Sequence, residues 1–218
     1  MARRTVAAYS GDAFGTVETI GTAGVFGEVM GFVAITVGFF TLGAYLGRDV
    51  TGVLSFVLFL AAFGCFIGLN FVRSQGIALT LLFAAGLLLG FGVGAVVHYY
   101  AETDPEAVWN AAGATALFVG VLGATGYSIR RDLGAFYKVL FIALLVLLLF
   151  GLLAVFLRIP NGDVIYAVAG LVIFGGYTVL DFNRLRRAGR EEVVALAAGI
   201  FLDVINIFLF FLDLFARN

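Results

Sequence analysis

Apolar runs close to 20 residues long recur seven times along this chain, separated by short polar breaks. An α-helix needs about 20 residues to cross the roughly 30 Å of hydrocarbon in a bilayer. Backbone surrounded by lipid must satisfy its own hydrogen bonds, which leaves helices or a closed barrel. A barrel would show short segments of alternating polarity, and none occur. The sequence therefore predicts an all-α integral membrane protein, a seven-transmembrane-helix bundle. Its spans are drawn at Val29–Leu46, Val53–Val72, Ile77–Val97, Val108–Tyr127, Phe136–Leu157, Val164–Asp181 and Val193–Phe215.

Composition agrees. Of the 218 residues, 62% are hydrophobic and 12% charged, where a soluble domain carries about 25% charged residues. Mean hydropathy is +1.10. A net charge of −1 argues against a nucleic-acid partner. The single cysteine, Cys65, lies in an apolar run, excludes an internal disulfide and reads as a small core residue. Arg3 and Arg4 are not followed by an apolar core with a cleavage site, so no signal peptide is expected. Residues 1–27 read as an N-terminal cytoplasmic tail and 28–218 as one transmembrane domain. The connections are short, so successive helices are expected to be antiparallel neighbours.

Orientation follows from the basic residues. Arg3, Arg4, Arg73, Arg130, Arg131, Lys138, Arg184, Arg186, Arg187 and Arg190 fall on one side, ten in all, and Arg48, Arg158 and Arg217 on the other. That asymmetry predicts a cytoplasmic N-terminus and an external C-terminus. The outer loop between spans three and four is acidic, with Glu102, Asp104 and Glu106 near His98, which reads as a surface residue. Span three carries Gly86, Gly90 and Gly94, a ridge for close helix packing within the bundle, and span two repeats the idea with Gly64 and Gly68.

The residues with chemistry lie in the last two spans. Asp181 sits near the cytoplasmic end of span six, and Asp203 about ten residues into span seven among Leu, Ile and Phe. A carboxylate inside hydrocarbon costs at least ~2.5 kcal/mol, so it marks function by default. In consecutive antiparallel helices the two reach similar depth. Asn206 follows Asp203 at i+3 and can orient it. Arg73, at the end of span two, is a candidate latch for Asp181, and Arg184 a nearer alternative one turn away. Asp213 lies at the outer end within reach of Arg217. Two adjacent carboxylates share a proton because both cannot easily ionise together. With carbonyls and water they also suit a hard cation such as Ca²⁺.

The segments VLDFNRLRR and GIFLDVINIFLFFLDLF resemble the signature of the Bax-inhibitor family, the transmembrane Bax inhibitor motif proteins. In that family an Asp ends the sixth span and an Asp followed by Ile-Asn-Leu-Phe-like residues occupies the seventh. The resemblance covers most of the chain, and the last span is its specific part. It implies a pH-sensitive calcium leak gated by Asp181 and Asp203, with Arg73 as latch. Animal members are associated with suppression of cell death. This chain has only a short region after Phe215 and carries Ile207 where Leu is common. The preference for Arg over Lys suits a prokaryotic member, in a prokaryotic plasma membrane.

Other readings fit less well. A retinal protein needs a lysine in the last span, and the one lysine, Lys138, opens the fifth. A rhomboid-like protease needs a buried Ser–His pair, and the single His98 lies on the other side. An intramembrane aspartyl protease uses two aspartates but wants a Gly-x-Gly-Asp setting, where this chain has Ile-Phe-Leu-Asp. A proton-coupled transporter of small molecules or cations stands as the alternative. The expectation is a non-enzyme without cofactor, whose partners are the bilayer, calcium ions and protons.

Overall fold

The computed structural model describes residues 22–217. Seven helices follow in order: α1 (Thr22–Leu46), α2 (Gly52–Gly68), α3 (Gln75–Thr103), α4 (Pro105–Ser128), α5 (Tyr137–Leu157), α6 (Gly162–Leu185) and α7 (Val193–Phe215). All seven, with their short 3₁₀ extensions, are long and apolar enough to span a bilayer, and no strand occurs among the described residues.

Most of the expected tail, 1–21, lies outside the described residues. Residues 22–27 already belong to α1. Val25 and Val29, one turn apart, are both buried, so the core-facing stripe begins before the first purely apolar run. At the opposite end of the bundle α3 and α4 meet at Asp104. Its side chain accepts the Ala107 N–H at 3.0 Å, and Pro105 occupies the first helical position, where no N–H is needed.

The bundle is organised around α7. Of its most apolar stretch 56% is buried, against 6% for α2 and for α5, so α7 is the axis and those two are peripheral. α7 packs against α1, α3, α4 and α6. Chain order is not packing order. α1 lies along α3 rather than α2, α4 lies along α6 and α7 rather than α5, and α5 packs on α6. The expectation that successive helices are neighbours fails there. For α1 and α3 the reason is the glycine ridge.

On that ridge a Cβ at Gly86 would meet Thr36, one at Gly90 the backbone of Phe40 and Ala44, and one at Gly94 the backbone of Ala44 and Gly47. Gly43 in α1 and Gly47 just after it approach Leu87 and Phe91 in the same way. Close backbone approach gives the dispersion contact that drives helix pairing where lipid is as apolar as leucine. Gly64 faces open space, so the repeat in α2 is not a second ridge.

Candidate functional site

α6 and α7 run antiparallel, joined through the 3₁₀ turn Arg190–Glu192. Near the connection Asp181 turns its carboxylate onto the backbone of α7 at Gly199, where any Cβ would meet Oδ2. Its Oδ1 accepts a hydrogen bond from the Tyr137 hydroxyl, at the start of α5, at 2.5 Å. Asp181 is 8% exposed and Asp203 4%.

Asp203 lies one turn beyond Gly199 on α7, about 6 Å along the helix axis. Thr178 and Asp181 face Asp203 from α6. The Thr178 hydroxyl, however, donates to its own helix at Phe174 O, 2.9 Å away. Asp203 Oδ2 has no hydrogen-bond partner among the described residues. A buried unpaired oxygen is expensive and calls for a functional explanation.

Arg184 is the cation whose charge reaches Asp181, and Tyr177 stands close to both carboxylates. Arg184 is itself gripped by Glu192, through Nε at 2.8 Å and Nη2 at 2.5 Å. Above Asp181 a cavity of about 350 Å³ opens at the basic end, lined by Asp132, Tyr137, Asn183, Arg184, Arg187 and Glu192 among others.

Two expected partners sit elsewhere. Arg73 makes no ion pair within 4.0 Å among the described residues. It lines a separate opening with Gln75, Arg190 and Glu191, on the face where the α2–α3 connection meets α7, while the cation acting on Asp181 is Arg184. Asn206 does not orient Asp203. Three residues turn the helix by about 300°, leaving the side chains about 60° apart. Its Nδ2 donates to Leu202 O at 2.8 Å, and the residue lines a cavity toward the other end. Asp213 pairs with Arg217 at 2.8 Å as expected, and Arg217 also reaches Asp163 at 2.6 Å. His98 stands 3.4 Å from Glu102 near that same end.

The residues missed by sequence reasoning are Tyr137, Asn183, Thr178 and Gly199. Asn183 is 1% exposed and clasps the α4–α5 connection. Its Nδ2 lies 2.8 Å from Ile129 O, 3.1 Å from Arg131 O and 3.3 Å from Gly126 O, and its Oδ1 accepts the Leu133 N–H at 3.1 Å. The Arg187 guanidinium donates to the same Oδ1 at 2.9 Å and to Asp132 at 2.9 Å. This clasp sets where α5 begins and so places Tyr137 over Asp181. Asn183 lies two residues beyond Asp181, a legible signal, and Gly199 one turn before Asp203 is another. Nothing in the sequence pointed to Tyr137.

Outside the membrane helices, Asp132 is held below the usual carboxylate range by the Gly134 N–H and then by Arg187. Among the described residues no group of three or more His, Cys, Asp and Glu is arranged to hold a metal. Two carboxylates fall short of the six to eight oxygens of a tight Ca²⁺ site.

Seven spanning helices, with α7 the most buried and two interior carboxylates on α6 and α7, define a multi-pass helical membrane protein with a titratable polar site in its bundle. The profile of the family described as "Inhibitor of apoptosis-promoting Bax1" matches residues 22–218, and the chain belongs to that family. An uncharacterized protein of Helicobacter pylori is 30% identical over 202 residues, 86% of each chain. Protein lifeguard 4 of Mus musculus is 35% identical over 133 residues, 60% of this chain and 54% of that one. An uncharacterized membrane protein of Streptococcus pyogenes is 27% identical over 146 residues, 63% of this chain and 62% of that one. The bacterial relatives fit a prokaryotic membrane.

Proposed function

We propose that this protein is a passive leak for calcium ions whose flux depends on protonation of Asp181 and Asp203. The observation that carries this reading is Asp203, buried in the central helix with an unpaired oxygen, beside a second buried carboxylate. Asp203 is free to take a proton or a cation. Asp181 is faced by Tyr137 from α5, by Arg184 and Tyr177 from α6, and by Asp203 from α7.

Acid acts through these contacts. A bond from O–H to a carboxylate is roughly twice as strong as one between neutral groups. Protonation of Asp181 weakens the tie to Tyr137 and removes the attraction of Arg184. Loss of negative charge also weakens the pull on cations. Breaking a contact shielded from water costs several kcal/mol, whereas an exposed pair is worth at most about 1 kcal/mol. Release of the contact wins, and leak rises as pH falls. The reading gives the pair a gating role with no catalytic step and no resident cofactor.

Purified protein in liposomes with a calcium dye inside tests it. Leak above that of empty liposomes, larger at about pH 5 than at about pH 8, is expected. Equal leak from protein and empty liposomes across that range would reject the channel and favour a proton-coupled transporter.

A further inference from the structure

We infer that the ion path follows the seam between α5, α6 and α7, from the cavity at Asn183 and Arg184 to a second cavity at Asn206 near the opposite end. The inference rests on the leak reading and adds its route. The observations are the two cavities, the polar stripe between them and the peripheral position of α5.

The second cavity encloses about 850 Å³ and is bounded by α2, α5, α6 and α7. It receives Asn206 from the middle of α7, with Asp163 and Asp213 at its rim. The two share Arg217, which leaves one net negative charge at this mouth, and a negative mouth raises the local concentration of cations. At about 100° per residue, Gly199, Asp203, Asn206, Phe210 and Asp213 fall within about 80° of arc on α7. One face of the central helix thus presents the Asp181 contact, the unpaired Asp203, the Asn206 amide and the rim carboxylate at successive turns.

Between the cavities the seam is closed by aromatic rings. Phe174 lies 5.9 Å from Phe210 and 6.0 Å from Tyr177, and Tyr177 lies 6.2 Å from Tyr137, centroid to centroid. Tyr137 belongs to α5, which packs on α6, and its hydroxyl fastens the near end of that helix to Asp181. Polar groups inside a membrane protein line paths for ions, and aromatic constrictions gate them. A path on the α1–α4 side lacks such groups. The crevice there, about 630 Å³, is lined by residues such as Phe26, Val119, Ala124 and Phe182, with Thr115 its one deeply placed hydroxyl.

Cysteine accessibility in full-length protein with Cys65→Ala tests the route. Asn206→Cys and Leu152→Cys place a thiol in the second cavity from α7 and from α5, so loss of one variant leaves the other. Ala124→Cys in the apolar crevice is the control. Each is treated in liposomes with trimethylammonium-ethyl methanethiosulfonate, then read by mass spectrometry and by calcium leak. Labelling at position 206 or 152 with leak reduced about tenfold or more, and unchanged leak for the control, is expected of a blocked conduit. Absence of label at both positions, or label with unchanged leak, overturns the route while the leak stands. Leak no greater than from empty liposomes before treatment overturns the leak reading, and the route with it.

Discussion

At Tyr137 a single O–H joins a peripheral helix to a buried carboxylate, so the smallest useful perturbation is one oxygen. Tyr137→Phe keeps the ring and removes the donor that favours the charged form of Asp181. The acid midpoint of the leak is expected to move to higher pH. Thermal unfolding in detergent should reflect a loss of about 1–3 kcal/mol. An unchanged midpoint would shift the burden to Arg184. Asn183 acts one step further away. Asn183→Ala leaves the Ile129 and Arg131 carbonyls and the Leu133 N–H without their partner, at a similar cost of about 1–3 kcal/mol. Amide exchange across 129–134 should quicken, and unchanged exchange would remove Asn183 from its clasping role. The same connection carries a pH dependence. Asp132 is depressed by the Gly134 N–H and by Arg187, so its contribution is full above the ordinary carboxylate value of 3.8 and is lost as pH falls below it. Protection of the Gly134 amide, measured against its intrinsic exchange rate at each pH, should therefore fall below about pH 4, and a flat profile of that protection would contradict the assignment.

Helix by helix, the chain separates into those that pack through backbone and those that mostly meet lipid. Gly90→Leu drives a side chain into the backbone of Phe40 and Ala44, and overpacking of that kind costs about 1–3 kcal/mol or more. Gly64→Leu meets open space and should stay within about 0.5 kcal/mol. Thermal unfolding of the pair tests the claim that the α1–α3 ridge is internal, and equal effects would defeat it. The existence and number of the helices were legible because span length is set by bilayer thickness. Asp181 and Asp203 were legible because a carboxylate in an apolar run stands out. Neighbour order was not legible, since every helix is apolar and hydropathy does not say which face meets which helix. The place of Arg73 was hidden for the same reason. It lies in the α2–α3 connection and lines an opening with Arg190 and Glu191, while Arg184 reaches Asp181 from the same helix. Asn206 was misread by treating i+3 as a shared contact, although its amide bonds back to Leu202 and its side chain opens onto another cavity.

Across the whole molecule, seven crossings put the two ends of the bundle on opposite sides of the membrane, and the cluster of Arg and Lys at the Asp181 end is expected to be cytoplasmic. A reporter active only in the cytoplasm, fused after Asn218, should stay silent, and a clear signal would invert the orientation. With that orientation, the proposed function has the buried pair respond to cytoplasmic pH through the cavity at Asn183 and Arg184. The central claim is that a titrating carboxylate in α7 controls the flux, and Asp203→Asn isolates it, because the amide keeps the shape and cannot ionise. Calcium flux into dye-loaded liposomes, compared at about pH 8 and about pH 5 for wild type and Asp203→Asn, measures this directly. Wild-type flux rising with acid and a variant that folds but has lost most of that rise is the predicted result. A variant whose flux rises with acid as steeply as the wild type would contradict it.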